Sequence, residues 1–254
     1  MIFARVKHIA ILAFLIAFLL TSKVYAGTYW VSPTGAATWA NCQSATPLAG
    51  AAACDRNVAN SNAVAGDTVY FRGGTYTVAG SGLDSEGIDP ANSGTSPSNM
   101  ITFSAYSNET PIITGGALTW GIYLSGDSYI KVVGFTFQNL ATWAYIIKSS
   151  SYNEIASSTF TSTAGNEAGG GITISGTLSC PGLNCWNTHN WIHNNTFSKR
   201  LTTACGEGAN ILTIGQAYGA GNTVNNDNYN TIENNTIAYS AHGGIENNSM
   251  STVI

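Results

Sequence analysis

Charged residues are scarce in this chain. They make up 9% of its 254 residues, against roughly 25% in an average soluble protein. Long periodic runs of Ala, Glu, Lys, Leu and Arg are also missing, which excludes a helical bundle. In their place the chain has 28 Gly, 25 Asn and 12 Tyr, and 44% of its residues are hydrophobic. A weakly charged chain of this apolarity can bury a sizeable core, which disfavours disorder.

An apolar run of twelve residues, Ile9 to Leu20, lies near the N-terminus. It follows the basic residues Arg5 and Lys7 and precedes a small-residue cleavage motif that ends at Ala26. Twelve residues span about 18 Å of helix, which is short of the roughly 30 Å hydrocarbon core of a bilayer. We therefore predict a signal peptide over residues 1–26, with the mature protein secreted, periplasmic or at the cell surface and without a transmembrane anchor.

Acidic residues outnumber basic residues in the remainder of the chain. Removal of residues 1–26 leaves six Lys and Arg against thirteen Asp and Glu, a formal net charge of −7. This balance predicts no nucleic-acid partner.

All five cysteines follow the predicted signal peptide, where export permits oxidation. Cys42 with Cys54, and Cys180 with Cys185, each flank a short loop, so two local disulfides are predicted, with Cys205 left over. A zinc site is the alternative, but no CxxC pair is present and the His residues lack ligand spacing.

Four segments of the chain repeat one pattern of apolar, Asn and Thr residues. They begin at Tyr129, Tyr152, His189 and Tyr229. In register they give one aliphatic column, one Thr column and one largely aromatic column: Val132, Ile155, Ile192 and Ile232; Thr136, Thr159, Thr196 and Thr236; Phe137, Phe160, Phe197 and Ile237. The last column has spacings of 23, 37 and 40 residues, which indicates one plain coil and two coils with inserted loops.

A second short strand accompanies each repeat, for example Gly121 to Leu124 and Ala144 to Ile147. Two or three such strands per coil bury their apolar side only by stacking on neighbouring coils. The Asn-rich corners fit this geometry, because Asn tolerates left-handed backbone and stacked amides bond along a ladder. The pattern predicts an all-β solenoid of stacked coils.

The chain resembles the right-handed parallel β-helix (pectate-lyase-like) superfamily. The likeness rests on the segments Thr28–Gly35, Ala65–Tyr76, Ile101–Tyr106 and Pro111–Gly115, together with the repeats. It implies a single-stranded right-handed parallel β-helix of about six to seven coils over residues 27–254, acting as a monomer. Residues 27–65 form the N-terminal capping region, with a short helix expected near residues 58–64.

The C-terminal end shows no polar capping segment before Ile254. An open solenoid end exposes core and unpaired strand edge. Two explanations stay open: the reading frame is truncated there, or a partner covers the end.

The later coils are similar to those of chondroitinase-B and alginate-lyase-type polysaccharide lyases. The likeness rests on four segments: Ile192 to Arg200, Gly206 to Gly215, Ile232 to Ile237 and Gly243 to Glu246. It implies Ca²⁺ as cofactor, with Glu207, Asn210 and Glu246 as oxygen ligands. It also implies β-elimination on a uronate-containing polysaccharide. The chain departs from the family pattern after Glu246, where Asn247, Asn248 and Ser249 replace the expected catalytic Lys.

Candidate catalytic and binding residues gather after residue 185. Lys199, Arg200, His193 and His242 are the candidates for proton transfer, and Trp191, Glu233 and Asp227 are the candidates for contact with substrate. Trp191 shares an outward column with Lys131, Glu154 and Thr231, and His193 falls beside Glu233 on successive coils.

Two alternatives to a lyase stay open. A glycoside hydrolase needs two facing carboxylates, for which Glu207, Asp227, Glu233 and Glu246 are available, but the polygalacturonase signatures are missing. A non-catalytic polysaccharide-binding or surface module needs aromatic rings that stack on sugars, for which Trp143, Trp186 and Trp191 are candidates. Core packing or burial at the rim is the competing role for Trp186 and Trp191.

Overall fold

The computed structural model describes residues 26–79, 85–116, 119–161, 171–175, 186–198, 212–214, 228–238, 244–247 and 253–254. Residues 175, 212–214 and 246–247 are described by their backbone alone. The predicted signal peptide up to residue 25 lies outside this part and stays a prediction. No helix in these ranges is both long and apolar enough to cross a membrane.

Nineteen strands in the described part of the chain form three parallel sheets. Sheet A contains β1 (Thr28–Val31), β2 (Thr68–Phe71), β5 (Ile101–Ala105), β8 (Ile130–Val133), β11 (Glu154–Ala156), β14 (Trp191–His193) and β17 (Thr231–Glu233). Sheet B contains β3 (Gly74–Thr77), β6 (Pro111–Thr114), β9 (Thr136–Gln138), β12 (Thr159–Thr161), β15 (Thr196–Ser198) and β18 (Thr236–Ala238). Sheet C contains β4 (Glu86–Ile88), β7 (Trp120–Ser125), β10 (Thr142–Ile147), β13 (Ile172–Ser175), β16 (Leu212–Ile214) and β19 (Ile245–Asn247).

The chain visits these sheets in a fixed order. After β1 it passes through sheets A, B and C in turn, and it completes that circuit six times in the described residues. Each strand pairs in parallel with its equivalent in the next circuit. The predicted all-β class and parallel pairing are therefore confirmed.

The core consists of the apolar columns that the repeats predict. The register pairs Val132 with Ile155, Ile155 with Ile192, and Ile192 with Ile232, and all four side chains are buried. In sheet B the rings of the aromatic column stack directly, with centroids 5.0 Å apart for Phe137 and Phe160 and 4.9 Å apart for Phe160 and Phe197. Like residues in register thus fill the space that the three sheets enclose.

The corner between sheets A and B has the conformation that its Asn content predicts. Its first position is left-handed at Gly134, Ser157, Asn194 and Asn234, with φ between 50° and 84°. At its second position, side chains bond along the stack. Asn195 Oδ1 accepts from Ser158 N at 2.9 Å, and Asn235 Oδ1 accepts from Asn195 N at 2.9 Å.

A short helix, α1 (Arg56–Asn62), covers the first edge of sheet C. It begins two residues before the expected helix, because the Asp55 side chain caps it by accepting from Asn57 N at 2.7 Å. Asn60 Nδ2 donates to Gly87 O at 3.2 Å, and the Arg56 guanidinium donates to the carbonyls of Glu86 and Gly87. These contacts bind the carbonyl groups of two β4 residues, and the capping region over residues 27–65 stays a prediction.

A disulfide joins Cys42 to Cys54, as predicted. The segments on either side of it bond to β1: Trp30 N donates to Cys42 O at 3.1 Å, and Cys54 N donates to Trp30 O at 2.8 Å. The bridge therefore holds a cover over the first edge of sheet A. Cys180, Cys185 and Cys205 lie outside the described residues.

Candidate functional site

Two outward-facing columns of side chains form the outer face of sheet A. Because strand residues alternate between faces, the residues flanking the buried aliphatic column point away from the core. The first column reads Thr28, Thr68, Thr102, Lys131, Glu154, Trp191 and Thr231. The second reads Trp30, Tyr70, Ser104, Val133, Ala156, His193 and Glu233. The predicted column of Lys131, Glu154, Trp191 and Thr231 is thus confirmed.

A connected group of polar side chains occupies the later strands of this face, and we call it the Trp191 cluster (Lys131, Glu154, Trp191, His193 and Glu233). Glu154 Oε1 lies 2.8 Å from Lys131 Nζ and 3.1 Å from His193 Nε2. Trp191 Nε1 donates to Glu233 Oε1 at 3.0 Å. The backbone register pairs His193 with Glu233, as predicted, but their side chains bond diagonally to other partners.

The Trp191 indole is fixed in place and exposed. Its ring stacks on the His193 imidazole at a centroid distance of 3.7 Å and an interplanar angle of 21°. His193 is 8% exposed, whereas Trp191 is 40% exposed. A buried imidazole and a hydrogen bond to Glu233 therefore hold an indole ring at the surface.

Both ring nitrogens of His193 are engaged. The carboxylate of Glu154 can only accept, so Nε2 donates to it at 3.1 Å, and in that tautomer Nδ1 is the acceptor that lies 2.8 Å from Asn194 Nδ2. A general base needs a free lone pair, and this arrangement leaves none on the imidazole. In the described geometry His193 supports Trp191, and its predicted catalytic role stays a prediction.

A stack of four rings runs beside the first column, at the residue that opens each repeat. Tyr129, Tyr152, His189 and Tyr229 follow one another at centroid distances of 5.0, 4.6 and 5.3 Å. Each has a left-handed φ between 58° and 60°, which turns the chain into sheet A. Tyr or His begins every repeat in the sequence, but the repeat pattern alone shows only where each unit starts and not that these rings stack.

Most of the other predicted site residues fall outside the described part of the chain. Lys199, Arg200, Glu207, Asn210, Asp227 and His242 are not described. The backbone of Glu246 belongs to β19 in sheet C, so it lies on a different sheet from Trp191, His193 and Glu233. Its register partner is Thr213. The predicted residues that are described therefore belong to two different sheets, A and C.

The Ca²⁺ ligand set stays a prediction. Among the residues whose side chains are described, no group of three or more His, Cys, Asp or Glu is arranged to hold a metal ion. The side chains of the predicted ligands Glu207, Asn210 and Glu246 are not among those described.

Two partly buried carboxyl groups lie at turns that follow strands of sheet C. Burial raises the pKa of Asp127 to about 6. Burial, then the charges of Glu86 and Asp127, raise the pKa of Asp89 to about 6. Asp127 Oδ2 accepts from Ser125 N at 2.7 Å. These groups belong to the turns after β4 and β7.

Neither the models of known protein families nor the curated protein sequences match this chain. Among solved structures, the chain is similar to an alginate lyase from Paenibacillus sp. str. FPU-7. The similarity covers 69% of this chain and 74% of the lyase, with 15% sequence identity and a TM-score of 0.35.

Proposed function

We propose that the protein is an exported right-handed parallel β-helix protein of the pectate-lyase-like type, and that it binds an extracellular polysaccharide on the outer face of sheet A. The observation that carries the proposal is the Trp191 indole, which is exposed yet held by His193 and Glu233. The disulfide Cys42–Cys54 is compatible with an oxidising compartment outside the cytosol.

The chemistry of the Trp191 cluster suits a sugar ring. An indole face packs against the C–H face of a pyranose, while its polar edge keeps a hydrogen-bond partner. Since the indole is already immobilised, less side-chain entropy is lost on binding. Glu154 and Glu233 lie on the two neighbouring strands and Lys131 one strand further, and they supply donors and acceptors for hydroxyl groups. Together these features give an apolar platform with a polar rim.

A uronate-containing polymer is the ligand class that the sequence resemblance favours. The Trp191 cluster itself contributes one Lys against two Glu, so it does not offer net positive charge to a carboxylate. Binding of an acidic polymer therefore needs a cation or a basic group from elsewhere. Ca²⁺, Lys199 and Arg200 are the proposed sources.

The described part of the site supports binding ahead of catalysis. Lys131 is ion-paired with Glu154, and both nitrogens of His193 are occupied. A β-elimination base must reach the proton next to the uronate carboxyl group with a free lone pair. Lyase activity therefore depends on the predicted residues Lys199, Arg200 and His242.

Affinity electrophoresis tests the proposal. The mature protein is run through gels that contain alginate, pectate, dermatan or a neutral glucan, with and without Ca²⁺. We expect retardation by at least one uronate polymer and loss of retardation in Trp191→Ala. The matched control is Trp186→Ala, because Trp186 is also exposed, at 48%, but lies outside the cluster.

The same samples distinguish binding from cleavage. Ultraviolet absorbance from unsaturated uronate ends, with shortening of the polymer, identifies a lyase, whereas retardation without shortening identifies a binding protein. The control Trp186→Ala should be retarded as strongly as the wild type. The proposal is wrong if no polymer retards the wild-type protein, or if Trp191→Ala is retarded as strongly as the wild type.

A further inference from the structure

A second group of aromatic rings lies on the outer face of sheet A, at the opposite end from the Trp191 cluster. Trp30 on β1 and Tyr70 on β2 have centroids 5.2 Å apart, and Tyr106, just after β5, meets Trp30 edge-on at 4.9 Å. With Thr28 and Pro47 these rings line an open pocket of about 330 Å³, near the lower end of the range for small-ligand sites. We call it the Trp30 pocket.

The walls of the Trp30 pocket are fixed by polar contacts behind the rings. Trp30 Nε1 donates to Ser44 O at 2.8 Å, which ties the ring to the loop that carries Pro47. Arg72 Nη1 donates to Leu48 O at 2.8 Å in the same loop. The Arg72 guanidinium also lies 5.3 Å from the centre of the Tyr106 ring. The pocket is therefore shaped before any ligand arrives.

The Trp30 pocket and the Trp191 cluster share one column of sheet A. In the second outward column, the aromatic residues Trp30 and Tyr70 lie at one end. His193, which packs beneath the Trp191 ring, lies near the other end. Between them lie only small or short side chains: Ser104, Val133 and Ala156. Lys131 and Glu154 border this stretch in the adjacent column. The side chains of this column are therefore shorter between the two sites than at its ends, and we call the stretch Ser104, Val133 and Ala156 the trough.

The length of the trough follows from the strand order. Between β1 and β14 there are five strand spacings in sheet A, which correspond to about 24 Å. A polymer that lies across the strands can span both ends, whereas a single sugar ring cannot.

We propose that the Trp30 pocket is a second sugar-binding site, and that one polysaccharide chain occupies it together with the Trp191 cluster. This inference rests on the proposed function. The occupant is a pyranose ring, since the pocket presents the rings of Tyr70 and Tyr106 together with the hydroxyl groups of Thr28, Tyr70 and Tyr106, while Trp30, which is 3% exposed, packs behind the two Tyr rings. The trough between the sites argues for the same chain, because it connects them without a bulky side chain.

Two linked sites bind a long chain more tightly than either site binds a short one, since the second contact is intramolecular. We therefore expect affinity to rise with oligosaccharide length until the chain spans the trough. Loss of either site weakens binding of the long polymer by on the order of 100-fold.

The test is a titration with oligosaccharides of increasing length from whichever polymer retards the wild-type protein. The variants are Tyr106→Ala, Tyr70→Phe and Trp191→Ala, and the control is Tyr123→Ala, whose ring lies on the outer face of sheet C. We expect Tyr106→Ala to lose the gain in affinity with length while it still binds short oligosaccharides at Trp191. Tyr70→Phe keeps the ring and removes one hydroxyl group, so we expect a smaller loss of affinity for the long polymer.

The outcomes separate this inference from the proposed function. If Trp191→Ala abolishes binding while Tyr106→Ala and Tyr70→Phe both bind the long polymer as the wild type does, the second site is wrong and the proposed function stands. If the wild type binds no polymer, the proposed function fails first. Thermal melting of each variant shows whether it is folded, and should Tyr106→Ala be unfolded, Tyr70→Phe alone decides between the two outcomes.

Discussion

At the scale of single residues, the buried asparagines in the turns before sheet A hold successive circuits together. Asn153 N and Nδ2 donate to Asn190 Oδ1, each at 3.1 Å, and Asn190 N and Nδ2 donate to Asn230 Oδ1 at 2.9 and 3.0 Å. Asn190 Nδ2 also donates to Ser150 O at 3.0 Å. At these turns the backbone N–H and C=O groups lack the partners that a strand ladder would give them. The Asn side-chain amides supply those partners instead.

The first prediction concerns this ladder. Asn190→Ala removes the acceptor for two Asn153 donors and a donor for Ser150 O, all of them buried or partly buried. Each unsatisfied buried group costs about 1–3 kcal/mol, so we expect the free energy of unfolding to fall by about 3 kcal/mol. Denaturant unfolding measures it.

The control for this prediction is Asn62→Ala, at the exposed end of α1, where the change should be within about 0.5 kcal/mol. Equal losses in the two variants would contradict the role of the ladder.

At the scale of elements, the turns after the strands of sheet C carry partly buried acids. The pKa of Asp127 lies near 6 instead of its ordinary 3.8 because burial disfavours the charged form. The unfolded chain therefore releases this proton at lower pH than the folded chain does. It follows that folding stability decreases as pH rises from about 4 to about 6, and that this contribution is constant above that range.

The second prediction follows from this sign. Asp127→Asn keeps an oxygen acceptor for Ser125 N and removes the titration, so the variant should lose less stability than the wild type between pH 4 and pH 7. The pKa difference corresponds to at most ~3 kcal/mol, and solvent screening of a partly exposed group reduces it to about 1 kcal/mol. Urea unfolding of both proteins at pH 4 and pH 7 measures the change in the free energy of unfolding. A wild-type pH dependence in Asp127→Asn would exclude Asp127 as its source.

The sequence predicts the strands of this fold well, because stacking repeats each side chain in register. Ile155, Ile192 and Ile232 are recognisable as one column since the same pattern recurs around them. The side-chain contacts of the Trp191 cluster are less predictable. Glu154 binds Lys131 on one neighbouring strand and His193 on the other, and a linear pattern gives columns but not the diagonals between them. The Trp30 pocket depends on a loop held by Arg72, which no repeat encodes.

At the scale of the whole molecule, the first edge of each repeating sheet needs a cover, because unpaired strand edges invite association. Helix α1 covers β4, and the segments joined by the disulfide cover β1. The bridge closes a loop of 12 residues in sequence separation. Because the disulfide joins the two segments that bond to β1, reduction of the disulfide should destabilise the first circuit.

The third prediction is that the disulfide stabilises the whole domain. A bridge of this loop length is worth about 3 kcal/mol, mainly through the unfolded state. We expect the free energy of unfolding of the double variant Cys42→Ala with Cys54→Ala to be about 3 kcal/mol lower than that of the oxidised wild type. The variant should therefore unfold at a lower denaturant concentration. Addition of a reductant should then destabilise the wild type more than the double variant. If the reductant affects both equally, the effect arises from other cysteines.

The similarity of one circuit to the next has an evolutionary consequence. Phe137 and Phe160 are separated by 23 residues, and the circuit between them presents the same Thr, aromatic and aliphatic rows to both of its neighbours. A duplication of that stretch in the gene would insert a unit whose two junctions already match. Such proteins can therefore lengthen by internal duplication, and every added unit would extend the trough by about 4.8 Å and leave its two aromatic ends unchanged.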